Sequence, residues 1–315
     1  MRFLRKLMIG LGVLAAVPLA AQGPVQQIAA KPAEQVSAVP PLPAGAAKLD
    51  AADVEAWLDG FMPYALARGE VAGAVVVVVR GGGTVLQKGY GFADVASRKP
   101  VDPATTLFRP GSVSKLFTWT AVMQLVEAGK LDLDKDVNTY LDFKIPPFEG
   151  KPVTLRNIMT HTAGFEESIR YLISSDPKAV MPLKDYAREA LPARVFAPGS
   201  TPAYSNYATA LAGYIVQRTS GESFDDYIDR HIFAPLGMKY ASFRQPLPAA
   251  LAPFMSSGYR VMTDKAKPFE IVVPAPAGSL SASGGDMGKF MMAHLNNGGV
   301  LLKPETAKLM HDYKA

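Results

Sequence analysis

The sequence contains no cysteine, which excludes disulfide bonds, thiol catalysis and cysteine-based metal sites. Histidine is also scarce, with four residues in a chain of 315. No two histidines stand four positions apart and no His-Glu-x-x-His occurs, so the sequence predicts no metal site. The histidines are His161, His231, His294 and His311.

Charge of either sign is not in large excess. The formal net charge is +5, and three of the basic residues, Arg2, Arg5 and Lys6, lie in the first 21 positions. Without them 30 basic residues balance 28 acidic ones, which gives no indication of nucleic-acid binding. With 49% hydrophobic and 19% charged residues, the composition predicts a globular protein with a sizeable core, built as one large domain or two intertwined subdomains.

The apolar run near the N-terminus, residues 7–20, is shorter than the roughly 20 residues that a membrane span needs. It follows a basic start and ends in small residues, which favours a cleaved signal peptide over residues 1–21 rather than an anchor. We therefore expect a periplasmic or secreted protein that meets a membrane only through this signal. Residues 22–48, rich in Pro, Ala and Gln, predict a disordered linker, and residues 49–315 form the predicted folded domain.

Two common catalytic motifs are missing. No Gly-Lys-Ser/Thr follows the glycine triplet at 81–83, and no Gly-x-Ser-x-Gly occurs, which argues against phosphate binding and against an α/β-hydrolase with a Ser-His-Asp triad. The triplet instead predicts a hairpin turn between strands at 71–80 and 84–90. The apolar run 74–79 is typical of a strand covered on both faces, and residues 50–67 have the apolar spacing of a helix.

The most informative segment present surrounds Ser112. Pro110-Gly111 indicates a turn, and apolar residues then recur at the period of a helix that begins near Ser112. Residues three apart share a helix face, so the Ser112 hydroxyl should lie beside the Lys115 amine, a nucleophile next to a potential base. The apolar positions are Leu116, Trp119, Met123 and Val126.

The Ser-x-x-Lys spacing alone is weak evidence. A second copy, Ser175 to Lys178, lies in a proline-interrupted segment without an apolar stripe, and we interpret it as an ordinary loop. Taken in isolation, Ser112 and Lys115 are equally well explained as a capping serine and a solvated lysine. The helix that follows Ser112 is what distinguishes the first copy.

A second candidate segment precedes a predicted helix at 207–219. Tyr204 and Asn206 are two positions apart and can point into one cleft, where a phenol can transfer a proton and an amide can orient a substrate carbonyl or the lysine. In isolation the pair also fits a surface turn. His161, near the end of a short predicted helix, could be a general base, but a structural role in bonding the last helix carbonyls is favoured.

Taken in order, five segments resemble the serine hydrolases of the class C β-lactamase and D-alanyl-D-alanine carboxypeptidase superfamily, which also includes penicillin-binding-protein-like esterases. The segments are residues 108–115, 155–165, 196–206, 235–238 and 276–278. The resemblance implies an α/β (α+β) fold with an antiparallel β-sheet flanked by helices and a mostly helical subdomain.

For the chemistry, the resemblance implies that Ser112 is acylated, that Lys115 and Tyr204 share its proton, and that Asn206 holds the substrate. The substrate would be a small molecule or peptide with an amide or ester bond, such as a β-lactam, a D-Ala peptide or an ester, and no cofactor is expected. The oxyanion would be stabilised by the Ser112 backbone N–H and a second N–H from a late β-strand.

The family's third motif, Lys-Thr-Gly or His-x-Gly, does not occur after Gly299. We therefore expect the domain to be C-terminally incomplete, lacking the strand that bears this motif and the strands that complete the sheet. A non-catalytic penicillin- or peptidoglycan-binding protein on the same fold stays open as the alternative.

Overall fold

The computed structural model describes residues 49–312, and the predicted signal peptide and linker lie outside the described residues. Helices and antiparallel sheets alternate along this part of the chain, which confirms the predicted mixed α/β class. Among the described residues, no helix combines the length and the apolar character needed to cross a membrane.

The helices contribute most of the regular structure. In chain order they are α1 (Ala51–Gly69), α2 (Lys115–Glu127), α3 (Leu155–Met159), α4 (Leu183–Glu189), α5 (Asn206–Ser220), α6 (Phe224–Ile228), α7 (Ala234–Leu236), α8 (Ala275–Gly278), α9 (Gly284–Leu295) and α10 (Pro304–His311). A π-helical turn, Asp229–Phe233, connects α6 to α7.

The strands form three small antiparallel sheets, with orders β1-β2-β3, β4-β8-β6 and β5-β7. Within residues 49–312, β1 is hydrogen-bonded to β2. The predicted lack of further C-terminal strands stays a prediction. The strands are β1 (Gly73–Arg80), β2 (Gly83–Asp94), β3 (Lys99–Pro100), β4 (Leu107–Phe108), β5 (Ile173–Ser174), β6 (Ala241–Ser242), β7 (Ile271–Val272) and β8 (Ser281–Ser283).

The β1–β2 hairpin lies between two helices, as the doubly apolar run predicts. On one face, Val76 and Val78 pack with a small core that includes Leu58 of α1. On the other face α9 approaches so closely that a side chain on Gly284 would overlap Val75, so glycine is required there. Alternate residues of β1 thus face opposite helices, so both faces of the strand are covered, and its residues are half-buried apart from the exposed Arg80.

The larger core surrounds α2 and α5. Helix α2 is buried on nearly all sides, which explains why its sequence is apolar beyond a single stripe. Phe117 stacks on Phe290 with ring centroids 3.8 Å apart and meets Phe233 and Phe243 edge-on. This packing fixes the start of α2, where the candidate nucleophile lies.

The segment before α2 differs from the predicted single helix. Gly111–Ser114 forms a 3₁₀ turn, and α2 begins at Lys115. Gly111 has φ of 58°, a conformation that glycine adopts without strain, and the Ser114 hydroxyl donates to the Gly111 carbonyl at 2.6 Å. Because side chains at i and i+3 eclipse in a 3₁₀ helix, Ser112 lies directly over Lys115.

Candidate active site

The structure brings Ser112 and Lys115 together at the start of α2. The Lys115 Nζ lies 3.1 Å from Ser112 Oγ. The Ser112 side chain is exposed, whereas Lys115 retains 4% of its accessible surface. A solvent-accessible hydroxyl therefore sits above a buried amine, which is the arrangement that a nucleophile and its base require.

Tyr204 and Asn206 converge on the same pair. Tyr204 lies in the loop before α5 and places its hydroxyl 2.6 Å from Ser112 Oγ. Asn206 is the first residue of α5, and its Oδ1 accepts a hydrogen bond from Lys115 Nζ at 2.7 Å. The four residues selected from the sequence thus form one hydrogen-bonded cluster.

Lys115 also donates to the backbone carbonyl of Ala277, at 2.7 Å. Burial lowers the pKa of Lys115, and this effect outweighs the opposing influence of Tyr204 and Glu167. A neutral amine has two N–H groups and one lone pair. In the neutral form, with the two N–H groups directed at the Asn206 and Ala277 oxygens, the lone pair would face Ser112 Oγ, 3.1 Å away.

The Ala277 carbonyl belongs to α8, and the segment of α8 and the residues after it is hydrogen-bonded to α2 and to the 3₁₀ turn before it. The Thr118 hydroxyl donates to the Pro276 carbonyl at 2.8 Å, and the Leu280 N–H donates to Ser114 Oγ at 3.2 Å. Residues 276–278 were recognised in the sequence as a motif, but the role of this carbonyl was missed. A backbone acceptor leaves no signal in a side-chain pattern.

Glu167 is a second residue that the sequence did not reveal. Its carboxylate accepts from the Asn206 backbone N–H at 2.8 Å and from the Asn206 side-chain amide at 2.7 Å. The residue lies in the loop after α3, far in sequence from α5, and belongs to no motif that sequence reasoning could have used.

His161 lies at the edge of the cluster. Its backbone N–H donates to the Ile158 carbonyl at 3.1 Å, a main-chain contact that does not test the predicted structural role of the histidine side chain. Its ring faces the site: it packs against the Tyr204 ring at a tilt of 34°, with centroids 4.5 Å apart, and accepts from the Ser205 N–H at 3.3 Å. Burial, and then the charge of Lys115 in its ammonium form, lower the pKa of His161 against an opposing effect of Glu167.

The second Ser-x-x-Lys copy stays apart from this cluster. Ser175 and Lys178 are exposed, beside a short 3₁₀ turn, Pro177–Ala179, as expected for a loop. Across residues 49–312, no group of three or more His, Asp or Glu side chains is placed to hold a metal ion.

Comparison with known proteins places these features in a family context. A family model described as Beta-lactamase matches residues 29–314. The chain is 35% identical over 179 residues to PbpX of Bacillus subtilis (strain 168), a match that covers 55% of this chain and 43% of PbpX. The chain therefore spans less than half the length of this curated relative.

Solved structures show the same similarity. The octameric penicillin-binding protein homologue from Pyrococcus abyssi superposes with a TM-score of 0.67 at 27% identity, covering 81% of this chain and 59% of that one. A class C beta lactamase superposes with a TM-score of 0.68 at 25% identity, covering 84% and 70% respectively.

Proposed function

The chain belongs to the beta-lactamase family, and from this membership we propose that it is a serine hydrolase that acts on amide or ester bonds through an acyl-enzyme formed on Ser112. One observation supports the proposal above the others. Ser112 Oγ is within hydrogen-bond distance of both Lys115 Nζ, at 3.1 Å, and the Tyr204 hydroxyl, at 2.6 Å. A serine hydroxyl needs such a base to become a nucleophile at neutral pH.

In the proposed acylation step, Ser112 Oγ attacks the substrate carbonyl carbon while its proton passes to the Lys115–Tyr204 pair. The C–O bond forms, and the carbonyl electron pair moves onto oxygen. When the tetrahedral intermediate collapses, the C–N or C–O bond to the leaving group breaks, and the same pair returns the proton to the leaving group. Water then attacks the ester on Ser112 with help from the same base, which regenerates the enzyme.

The start of α2 favours the charge that develops in this step. Ser112 lies at the N-terminal end of the 3₁₀ turn and of α2, where backbone N–H groups and the positive end of the helix dipole stabilise an oxyanion. A second N–H donor from a late strand is what the resemblance implies. Asn206, hydrogen-bonded to both Lys115 and Glu167, is the residue that we propose holds the substrate.

For the substrate we propose a small molecule or peptide with an amide or ester carbonyl: a β-lactam, a D-Ala peptide or an ester. The similarity to a penicillin-binding protein homologue and to a class C beta lactamase supports this class. We also propose that the protein works in the periplasm or is secreted, because residues 1–21 have the composition of a signal peptide.

A second candidate function is non-catalytic penicillin or peptidoglycan binding. The similarity to the penicillin-binding protein homologue from Pyrococcus abyssi supports it. Such a protein would still be acylated at Ser112 but would release the acyl group very slowly.

Mass spectrometry of the intact protein tests both candidates. The protein is exposed to a fluorophosphonate, a penicillin and a chromogenic ester, and the peptide that gains mass is identified. We expect an adduct on Ser112 that is lost in Ser112→Ala and kept in Ser175→Ala, the matched serine of the second Ser-x-x-Lys. Turnover of the ester or of a chromogenic cephalosporin favours the hydrolase, and a long-lived adduct favours the binding protein. An adduct on another serine contradicts both.

A further inference from the structure

The Glu167 carboxylate accepts two hydrogen bonds from Asn206. One carboxylate oxygen accepts from the Asn206 backbone N–H at 2.8 Å and the other from Asn206 Nδ2 at 2.7 Å. The backbone N–H belongs to the first turn of α5, where N–H groups have no partner within the helix and the helix dipole favours a negative charge. The carboxylate is thus held by both the main chain and the side chain of one residue.

This contact determines which way the Asn206 amide points. A carboxylate accepts hydrogen bonds and an amide offers one donating and one accepting end. With Nδ2 donating to Glu167, Oδ1 must face the opposite side, where it meets Lys115 Nζ at 2.7 Å. If the amide were reversed, its oxygen would point at the Glu167 carboxylate, which is repulsive, and its N–H groups would point at Lys115.

The amide orientation in turn directs the lysine. The Ala277 carbonyl and Asn206 Oδ1, both 2.7 Å from Nζ, can each accept one N–H of a neutral amine, so the lone pair faces Ser112 Oγ. A reversed Asn206 amide would instead donate to the lone pair. The amine would then point away from the hydroxyl whose proton it must take.

We propose that Glu167 is a positioning residue for acylation: it fixes the Asn206 amide so that the neutral Lys115 amine directs its lone pair at Ser112. The inference rests on the proposed function, because it concerns the same hydroxyl and base. Glu167 is one of three ionisable groups that face Lys115, together with Tyr204 and His161. As the negative charge in this set, it also favours the ammonium form of the lysine.

The variants for the test follow from these contacts. Glu167→Gln retains the size of the side chain but allows either amide orientation at Asn206. Glu166→Gln is the matched control, since the neighbouring exposed side chain belongs to the same loop and makes no contact with the cluster, while its backbone N–H bonds to Ala193. Asn206→Ala and the double variant complete a thermodynamic cycle.

Acylation of Ser112 by an activated ester is measured against pH for each variant. A side chain mispositioned by about 1 Å typically costs on the order of 10²-fold in rate, so we expect a loss of up to that size in Glu167→Gln and no change in Glu166→Gln. Because a negative charge is removed, the pKa of Lys115 should fall further and the acid limb of the profile should move to lower pH. In the Asn206→Ala background, Glu167→Gln should change the rate by less than about twofold.

A purely structural role would lower thermal stability and rate without moving the acid limb. Full wild-type activity in Glu167→Gln, or losses that multiply in the double variant, would overturn the proposal. The pKa of Lys115 is also read directly by NMR of lysine labelled with ¹³C at Cε, with the signal assigned through Lys115→Arg. If the wild type forms no adduct, the proposed function is contradicted. The role of Glu167 is still tested by NMR, because an unchanged pKa of Lys115 in Glu167→Gln overturns that role.

Discussion

The Tyr204 hydroxyl lies 2.6 Å from Ser112 Oγ, although the two residues are 92 positions apart in the chain. The Tyr204 ring is held between the His161 ring, 4.5 Å away, and Lys115 Nζ, 4.7 Å from its centroid. These contacts orient a side chain that keeps 46% of its surface accessible. Ser112 Oγ consequently has two hydrogen-bond neighbours that we propose as its proton acceptors, the buried Lys115 amine and the exposed Tyr204 hydroxyl.

The two acceptors should act as one unit. Tyr204→Phe and Lys115→Ala are each expected to slow acylation of Ser112 by about 10²–10⁴, the usual contribution of a general base, with the fold retained. The double variant should be scarcely slower than either single variant, because removal of one member already disables the pair. Burst kinetics with an activated ester measure the rates, and circular dichroism controls for folding. Fully multiplicative losses would argue for independent roles.

The pH dependence of acylation should report the buried lysine. Since the neutral amine is the active form and burial lowers the pKa of Lys115, the rate should rise with pH and level off with a midpoint below 10.5, the ordinary lysine value. Lys115→Arg provides the control, because arginine stays protonated throughout this range. In this variant the activity, and with it the rise of the rate with pH, should be lost. A midpoint at or above 10.5 would contradict the inferred base.

Two glycines with the same backbone conformation should differ in their tolerance of a side chain. Gly164 and Gly199 both have φ of 79°. A Cβ on Gly164 would overlap the Phe196 carbonyl oxygen, whereas a Cβ on Gly199 would have its nearest neighbour, Asn157 Nδ2, at 3.6 Å. We expect Gly199→Ala to cost about 1–2 kcal/mol from the left-handed conformation alone. Gly164→Ala should cost a further 1–3 kcal/mol, roughly, from the overlap.

Chemical denaturation of the two alanine variants measures this difference. Gly164 begins the loop that bears Glu167, so Gly164→Ala should also slow acylation, while Gly199→Ala should leave the rate close to the wild type. Equal losses of stability in the two variants would show that the Phe196 carbonyl moves aside freely.

Stability should decrease in mild acid because of His294. Burial lowers the pKa of His294 from 6.5 to about 4, with His311 contributing further repulsion. The unfolded chain binds a proton below about pH 6.5 that the folded chain accepts only near pH 4, so the free energy of unfolding falls as pH decreases through this window. Urea denaturation at pH 7 and pH 4.5 tests this: His294→Gln should lose less stability between the two pH values than the wild type. An identical loss would assign the effect to other groups.

Local patterns were sufficient for much of the fold. Helix α1 begins at Ala51 and α5 at Asn206, each within one residue of the predicted start, and the hairpin turn falls at the glycine triplet. The strands of two or three residues, such as β4, β6 and β8, were not predicted, because they are too short to show an alternation of apolar and polar side chains. The 3₁₀ turn before α2 was also missed, since its side-chain pattern resembles the start of an α-helix.

The candidate site also has residues that the sequence predicted and residues that it did not. Ser112 and Lys115 could be paired from their spacing, because one turn of helix is a local relationship, and Tyr204 and Asn206 are two positions apart at the start of α5. Glu167 and the Ala277 carbonyl come from distant segments and approach the cluster through tertiary packing. Neither is part of a periodic pattern, so a single sequence contains no physical signal that would bring them to Lys115.

The hydrogen bond from Lys115 Nζ to the Ala277 carbonyl determines when, during synthesis of the chain, the site can be completed. The acceptor lies 162 residues after the lysine, so a ribosome must polymerise α8 before the amine has its full set of partners. Nascent chains that already contain Ser112, Lys115, Tyr204 and Asn206 still lack the contact that turns the lone pair toward the hydroxyl. We expect Ser112 to become reactive toward acylating substrates late in synthesis. Chains that are cleaved or stalled before α8 should remain unreactive although they contain Ser112.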